Sequence, residues 1–293
     1  MNTTITAIPG IEVGHWTDLE ARTGCTVIVL PEPNVVTAET RGAAPGSRET
    51  ALLEPGMAVE QCHAILLTGG SAFGLAAADG VMRELEADGR GHRTPAGPVP
   101  IVPAAVIFDL LQGDSSIRPT AESGAAAYRA RSAGPVALGQ VGAGTGATVG
   151  KWRGLSLPSG VGSATATRAG ASASALVVLN SMGDVFTLEG EPLTGGPHVA
   201  AAPAFEPEWG QNTTLAVVAT DARLDRSDLG RLAVRAQDAL AACLRPAHTR
   251  FDGDTCFVVS CGDVVVPRHI VAEAVFEAVG RAIESAVKSA AGQ

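Results

Sequence analysis

Five short apolar runs punctuate this chain: 26–30 (TVIVL), 64–67 (AILL), 175–179 (ALVVL), 215–220 (LAVVAT) and 255–260 (TCFVVS). Each is too short for a helix and most are rich in β-branched residues, so each reads as a strand buried in the core. The spacing also predicts a short strand over 184–188, after the turn at Met182 and Gly183. Buried strands need cover, and the sequence supplies it. Residues 226–244 carry Leu229, Leu232, Ala233, Ala236, Leu240 and Cys243 on one helical stripe. A second helix is expected over 270–290, with Val271, Ala274, Val275, Ala278, Val279, Ala282 and Ile283 in register. Pro267 precedes it and Gly292 follows it, as start and stop signals should. Ser71 stands where the N-cap of a helix over 72–88 would fall. Strands and helices alternate in part and cluster in part, so the fold class is mixed α/β (α+β).

Aromatic residues make up 4% of the 293 positions while hydrophobic ones make up 46%. A core of that make-up closes by tight packing of Ala, Val, Leu and Ile. No linker separates two cores, so residues 1–293 read as a single domain. The net charge of −9 argues against nucleic acid as a partner, because phosphate binding needs a basic field. No apolar run reaches the length of a membrane span, and a polybasic membrane anchor is missing. Residues 1–10 lack a basic segment followed by an apolar one, and five cysteines lie scattered at Cys25, Cys62, Cys243, Cys256 and Cys261. A cytoplasmic protein with free thiols is the expectation. The Cys256–Cys261 spacing is too wide for a zinc pair, so no metal is expected.

Several motif readings fail on spacing. In 141–151 (VGAGTGATVGK) a phosphate loop would need Gly at Thr145 and Ser or Thr at Trp152. A dinucleotide fingerprint would need Gly at Ala147. A loop with close backbone approach is the simpler reading. Ser71 sits in GGSAFG, where Phe73 occupies the last glycine of a nucleophile elbow. The six histidines form no metal-binding pair, and a Ser-His-Asp triad has no positive support. Only Lys151 and Lys288 are lysines among 21 basic residues. Lys151, between Gly150 and Trp152, is either a placed ammonium or a chance survivor on a loop. Asp252 and Asp254 flank Gly253, and such a pair can hold a metal, share a proton or anchor an ammonium. A solvated turn is the competing reading. The stretch 195–212 is long for a connection, carries Gly195, Gly196, Pro197, Pro203, Pro207 and Gly210, and leads through the hydroxyl residues Thr213 and Thr214 into the strand 215–220. A chain cut there would leave a new terminus held on a rigid element.

The blocks 14–18 (GHWTD), 23–26 (TGCT), 41–50 (RGAAPGSRET), 67–83 (LTGGSAFGLAAADGVMR) and 99–110 (VPIVPAAVIFDL) resemble the DmpA-type peptidases. So do 141–152, 175–184 (ALVVLNSMGD), 212–222 (NTTLAVVATDA) and 251–255 (FDGDT). That family comprises L-aminopeptidase/D-esterases, β-peptidyl aminopeptidases and nylon-oligomer hydrolases. The resemblance implies an N-terminal-nucleophile-like fold shared with ornithine acetyltransferases, in which two packed β-sheets are sandwiched by helical layers. It implies a precursor that cuts itself between Asn212 and Thr213, giving an α chain 1–212 and a β chain 213–293. It implies a hydrolase without cofactor, acting on amides, esters or short peptides with a free amino terminus, through an acyl-Thr intermediate. An acyltransferase using the same intermediate is the alternative. Homo-oligomers of αβ protomers, tetramers in particular, are the expected assembly.

Roles carry over position by position. Thr213 matches the nucleophile. Its own α-amine would take the hydroxyl proton, since an α-amino group titrates near about 7.7–8.0. Asn180 matches an oxyanion donor and Lys151 a lysine beside the nucleophile. Asp252 and Asp254 match an acidic pair near the new terminus. Phe108, Gly144 and Thr145 would line the substrate site. Phe108 falls where some nylon-oligomer hydrolases carry Tyr, which puts polymer-amide activity in doubt.

Overall fold

The computed structural model describes residues 2–203 and 212–292. Two five-stranded sheets lie face to face. The first runs, in spatial order, Glu12–Asp18, Thr23–Val29, Ala64–Thr68, Ala104–Val106 and Ser47–Arg48. The second runs Val161–Arg168, Ala171–Asn180, Thr213–Ala222, Thr255–Val264 and Val35–Thr40. All five apolar runs are strands, and the strands outreach the runs at one or both ends because polar ends still pair in the ladder.

The packing has four layers. Between the sheets sit Ile28, Ile65, Leu67 and Ala105 from one side and Leu176, Val178, Leu215, Val217, Phe257 and Val259 from the other. The outer face of the second sheet is covered by the helices Arg226–Cys243 and Arg268–Ala291, through Leu229, Leu232, Leu240, Val271, Val275 and Ile283. The outer face of the first is covered by Ala77–Ala87 and Ala121–Arg129, through Ala77, Val81, Leu85 and Tyr128. Small side chains let these layers close up. At Gly162 an added Cβ would stand 2.0 Å from the Ala282 carbonyl oxygen on the last helix.

Two local expectations are corrected. Ser71 does not cap a helix. Its φ is +53°, Gly70 occupies the cap position, and a 3₁₀ turn, Ser71–Ala76, precedes the α-helix. The strand at 184–188 shrinks to Asp184–Val185, which pairs with Leu244–Arg245 because the main chain turns back at 187–191. The stretch 195–212 is described only to residue 203 and again from 212, so its middle lies outside the described residues. No helix among the described residues is long and apolar enough to cross a membrane.

Candidate active site

The site is assembled at one end of the second sheet, where two central strands meet antiparallel. Asn180, the last residue of Ala171–Asn180, is the register partner of Thr213, the first residue of Thr213–Ala222. Strand alternation then sorts the side chains. Leu176, Val178, Leu215 and Val217 fill the layer between the sheets, so Asn180 and Thr213 share that face. Ala216 and Leu179 face the helices, and Thr214 goes with them. The Thr214 hydroxyl is buried and has no hydrogen-bond partner among the described residues.

Thr213 lies against the peptide bond in front of it. Its Oγ1 donates to the Asn212 carbonyl oxygen at 2.5 Å. That oxygen also accepts the Gly253 N–H at 3.0 Å. Asn212 itself forms a parallel bridge with Asp252, so the 251–255 block runs beside the Asn212–Thr213 bond.

Lys151 follows Gly150, whose φ of +78° turns the glycine-rich loop back onto the sheet. Its Nζ donates to Asn180 Oδ1 at 2.8 Å and to the Asn180 carbonyl at 3.3 Å. The Thr148 N–H donates to the same Oδ1, and Asn180 Nδ2 donates to the Phe108 carbonyl at 3.3 Å. The amide is thereby oriented, with oxygen to the ammonium and nitrogen to Phe108. Burial of the ammonium lowers the Lys151 pKa to about 7, and the Asp252 charge only partly offsets this.

The two aspartates are buried, which removes the solvated-turn reading. Asp252 Oδ2 accepts the Thr249 N–H and hydroxyl at 2.8 and 2.6 Å. Burial first, and then Asp254, push its carboxyl above the usual carboxylate range. Asp254 Oδ1 accepts the Thr214 N–H at 2.7 Å, and its Oδ2 lies 2.8 Å from His248 Nδ1. Gly42, in the RGAAPG block, closes over this pair with φ +90°. A Cβ there would stand 2.3 Å from the Asp252 carbonyl oxygen, so both conformation and space demand glycine.

Thr213, Asn180, Lys151, Asp252 and Asp254 thus converge. Phe108 joins through its main-chain carbonyl. Gly144 and Thr145 sit lower in the same loop: Gly144 packs on Gly160 and Val161, and the Thr145 hydroxyl is spent on the Gly142 carbonyl. The residue that sequence reasoning missed is His248. A histidine six positions before an aspartate carries no motif, and only the fold brings its ring to Asp254. Beyond Lys151, a cavity of about 240 Å³ is lined by Trp152, Arg153, Asp184 and the segment from Pro197 to Pro203, with Arg153 paired to Asp184 at 2.7 Å.

The chain is similar to known proteins along most of its length. The chain is 44% identical to an uncharacterised aminopeptidase of Mycobacterium leprae, over 89% of its own length and 79% of the relative's. It is 29% identical to a 6-aminohexanoate-oligomer endohydrolase of Paenarthrobacter ureafaciens, over 88% of this chain and 75% of that one. The L-aminopeptidase D-Ala-esterase/amidase of Ochrobactrum anthropi, described as a variant of the Ntn hydrolase fold, superposes with a TM-score of 0.79 at 21% identity, covering 98% of this chain and 86% of that one. A β-aminopeptidase of Burkholderia superposes with a TM-score of 0.75 at 21% identity, covering 99% and 86%. The two-sheet sandwich is therefore the Ntn hydrolase fold. The profile of peptidase family S58 matches residues 3–292, and the chain belongs to that family of hydrolases.

Proposed function

We propose that this chain is a self-processing aminopeptidase or amidase whose nucleophile is Thr213. The observation that carries this is the geometry around one bond: the Thr213 hydroxyl lies on the Asn212 carbonyl, and that carbonyl already receives an N–H from Gly253. In the intact chain the nitrogen of Thr213 is an amide and cannot act as a base. Lys151, its pKa lowered to about 7, is the nearby group with a neutral fraction at working pH. On this reading Oγ1 attacks the Asn212 carbonyl carbon, and the oxyanion is met by the Gly253 N–H. The C–N bond then breaks as nitrogen takes up the proton, leaving an ester. Water cleaves the ester to give the Asn212 carboxylate and a free Thr213 amine.

The same atoms then serve substrate. The new α-amine takes the hydroxyl proton, Oγ1 forms an ester with the substrate acyl group, and the leaving amine receives the proton. Water releases the acid and regenerates Thr213. Asn180 Nδ2 and Lys151 Nζ are the donors for the substrate oxyanion. One such donor is worth about 3–4 kcal/mol of transition-state stabilisation. The substrates are compounds with a free amino terminus: amino-acid amides, esters or short peptides. Similarity to a 6-aminohexanoate-oligomer endohydrolase extends that range to ω-amino-acid oligomers, although Phe108 offers no phenol.

Amino-terminal sequencing of the small fragment tests the reading, with a panel of aminoacyl p-nitroanilides to follow. The fragment is expected to begin at Thr213. Thr213→Ala should remain a single chain without activity. Thr214→Val, which removes a hydroxyl on the opposite face, should still process. An active enzyme with its 212–213 bond intact would overturn the proposal.

A further inference from the structure

The Asp254 carboxylate is gripped from two sides. On Oδ1 it receives the Thr214 N–H at 2.7 Å. On Oδ2 it meets both the main-chain N–H of His248 at 3.3 Å and the ring Nδ1 at 2.8 Å. The other ring nitrogen, Nε2, lies 3.3 Å from the Gln237 main-chain carbonyl in the helix Arg226–Cys243. Both ring nitrogens therefore face acceptors. A neutral imidazole carries one N–H and satisfies only one of them, whereas an imidazolium donates to both.

One further observation supports a held cation. The charged groups that face the ring are carboxylates, Asp254 directly and Asp252 beyond it. Burial alone would lower the ring's pKa, but the Asp254 hydrogen bond and charge, the Gln237 carbonyl and Asp252 outweigh it and raise it.

We propose that His248 is a positioning residue of this site: its imidazolium bridges Asp254 to the Gln237 carbonyl and fixes the carboxylate that holds the Thr214 N–H, one residue beyond Thr213. This rests on Thr213 as the nucleophile. It also explains how a freshly cut strand end stays put. Before cleavage, the chain on the amino side of Thr213 is tied down by the Gly253 N–H on the Asn212 carbonyl and by the bridge of Asn212 to Asp252. After cleavage the terminus loses that tether, and strand ends fray. The Asp254–Thr214 contact is then the nearest side-chain restraint on the nucleophile. His248 acts through Asp254 and touches no reacting atom.

The test uses the full-length protein after processing. His248→Gln, which cannot supply a cation, is expected to lower kcat for an aminoacyl p-nitroanilide by about tenfold or more, with KM within about threefold of the parent. In the parent, nitrogen-15 NMR of the histidine ring, assigned by its loss in His248→Gln, should show both nitrogens protonated at pH 7. A neutral ring at pH 7, or a folded His248→Gln enzyme with parental kcat, overturns the proposal. If His248→Gln fails to fold, the parent's ring signals, assigned instead from a ring-to-Gln237 contact, decide the matter alone. The NMR measurement also separates the two readings. A fragment that does not begin at Thr213 sinks the nucleophile assignment, while the bridge between Asp254 and Gln237 is read from the ring itself.

Discussion

Lys151 shows how one residue's surroundings set its chemistry. Its ammonium is buried against the Asn180 amide and carbonyl, and burial lowers its pKa to about 7 from the usual 10.5. The unfolded chain therefore binds this proton up to pH 10.5 and the folded one only to about pH 7. Lys151 costs stability below pH 7, and the cost is relieved as pH rises from 7 towards 10.5. Lys151→Met is expected to raise the melting temperature at pH 6 and to change it little at pH 10.5, as calorimetry at the two pH values would show. The same substitution is expected to lower kcat/KM by about a hundredfold, since it removes both a donor and the group that orients Asn180. Conventional activity with Lys151→Met would rule out that role. The sequence singled out Lys151 by its rarity but left its purpose open. The groups it meets in the fold, Asn180 and Asp252, are remote in the chain. His248 had no such flag: its signal is a carboxylate on one ring nitrogen and a helix carbonyl on the other, both created by folding.

At the level of elements, the site depends on where strands stop. Asn180 closes one strand and Thr213 opens the next, and their pairing puts both side chains on the face between the sheets. The apolar runs LAVVAT and ALVVL show that strands exist there. It does not show which residues sit opposite, because register is set by neighbouring strands and layers. The helical stripes were the easiest elements to read: Arg226–Cys243 and Arg268–Ala291 agree with expectation within a residue or two at each end. The Ser71 helix start was misread because the turn after Thr68 takes left-handed backbone at both Gly70 and Ser71. Close layer contact makes a prediction of its own. In Gly162→Ala the new methyl meets the backbone of the last helix at Ala282 and Ala286, and backbone gives way less easily than a side-chain tip. A loss of about 1–3 kcal/mol is expected, read from the urea midpoint.

For the whole molecule, the proposed cut would fall at the start of the most central strand of the second sheet. Thr213–Ala222 is paired on one side with Ala171–Asn180 and on the other with Thr255–Val264. Chain 213–293 also contributes both helices that cover that sheet. Cleavage removes one peptide bond and leaves these ladders and the apolar contacts of both inner layers in place. The processed protein is thus expected to run as two bands on a denaturing gel and to elute as one species in native gel filtration. Fragments that separate without denaturant would contradict that. What the sequence alone determined was the material: short apolar strands, two striped helices, an aromatic-poor core and blocks resembling the DmpA-type peptidases. The strands, helices and core follow from local periodicity and composition, which act over a few residues, and the resemblance from the matched blocks alone. Only the tertiary structure decided which groups share a site. Lys151, Asn180, Thr213, His248 and Asp254 come from four separate stretches of chain. Their hydrogen bonds and the lowered and raised pKa values arise from burial and proximity that exist only once the two sheets have closed on one another.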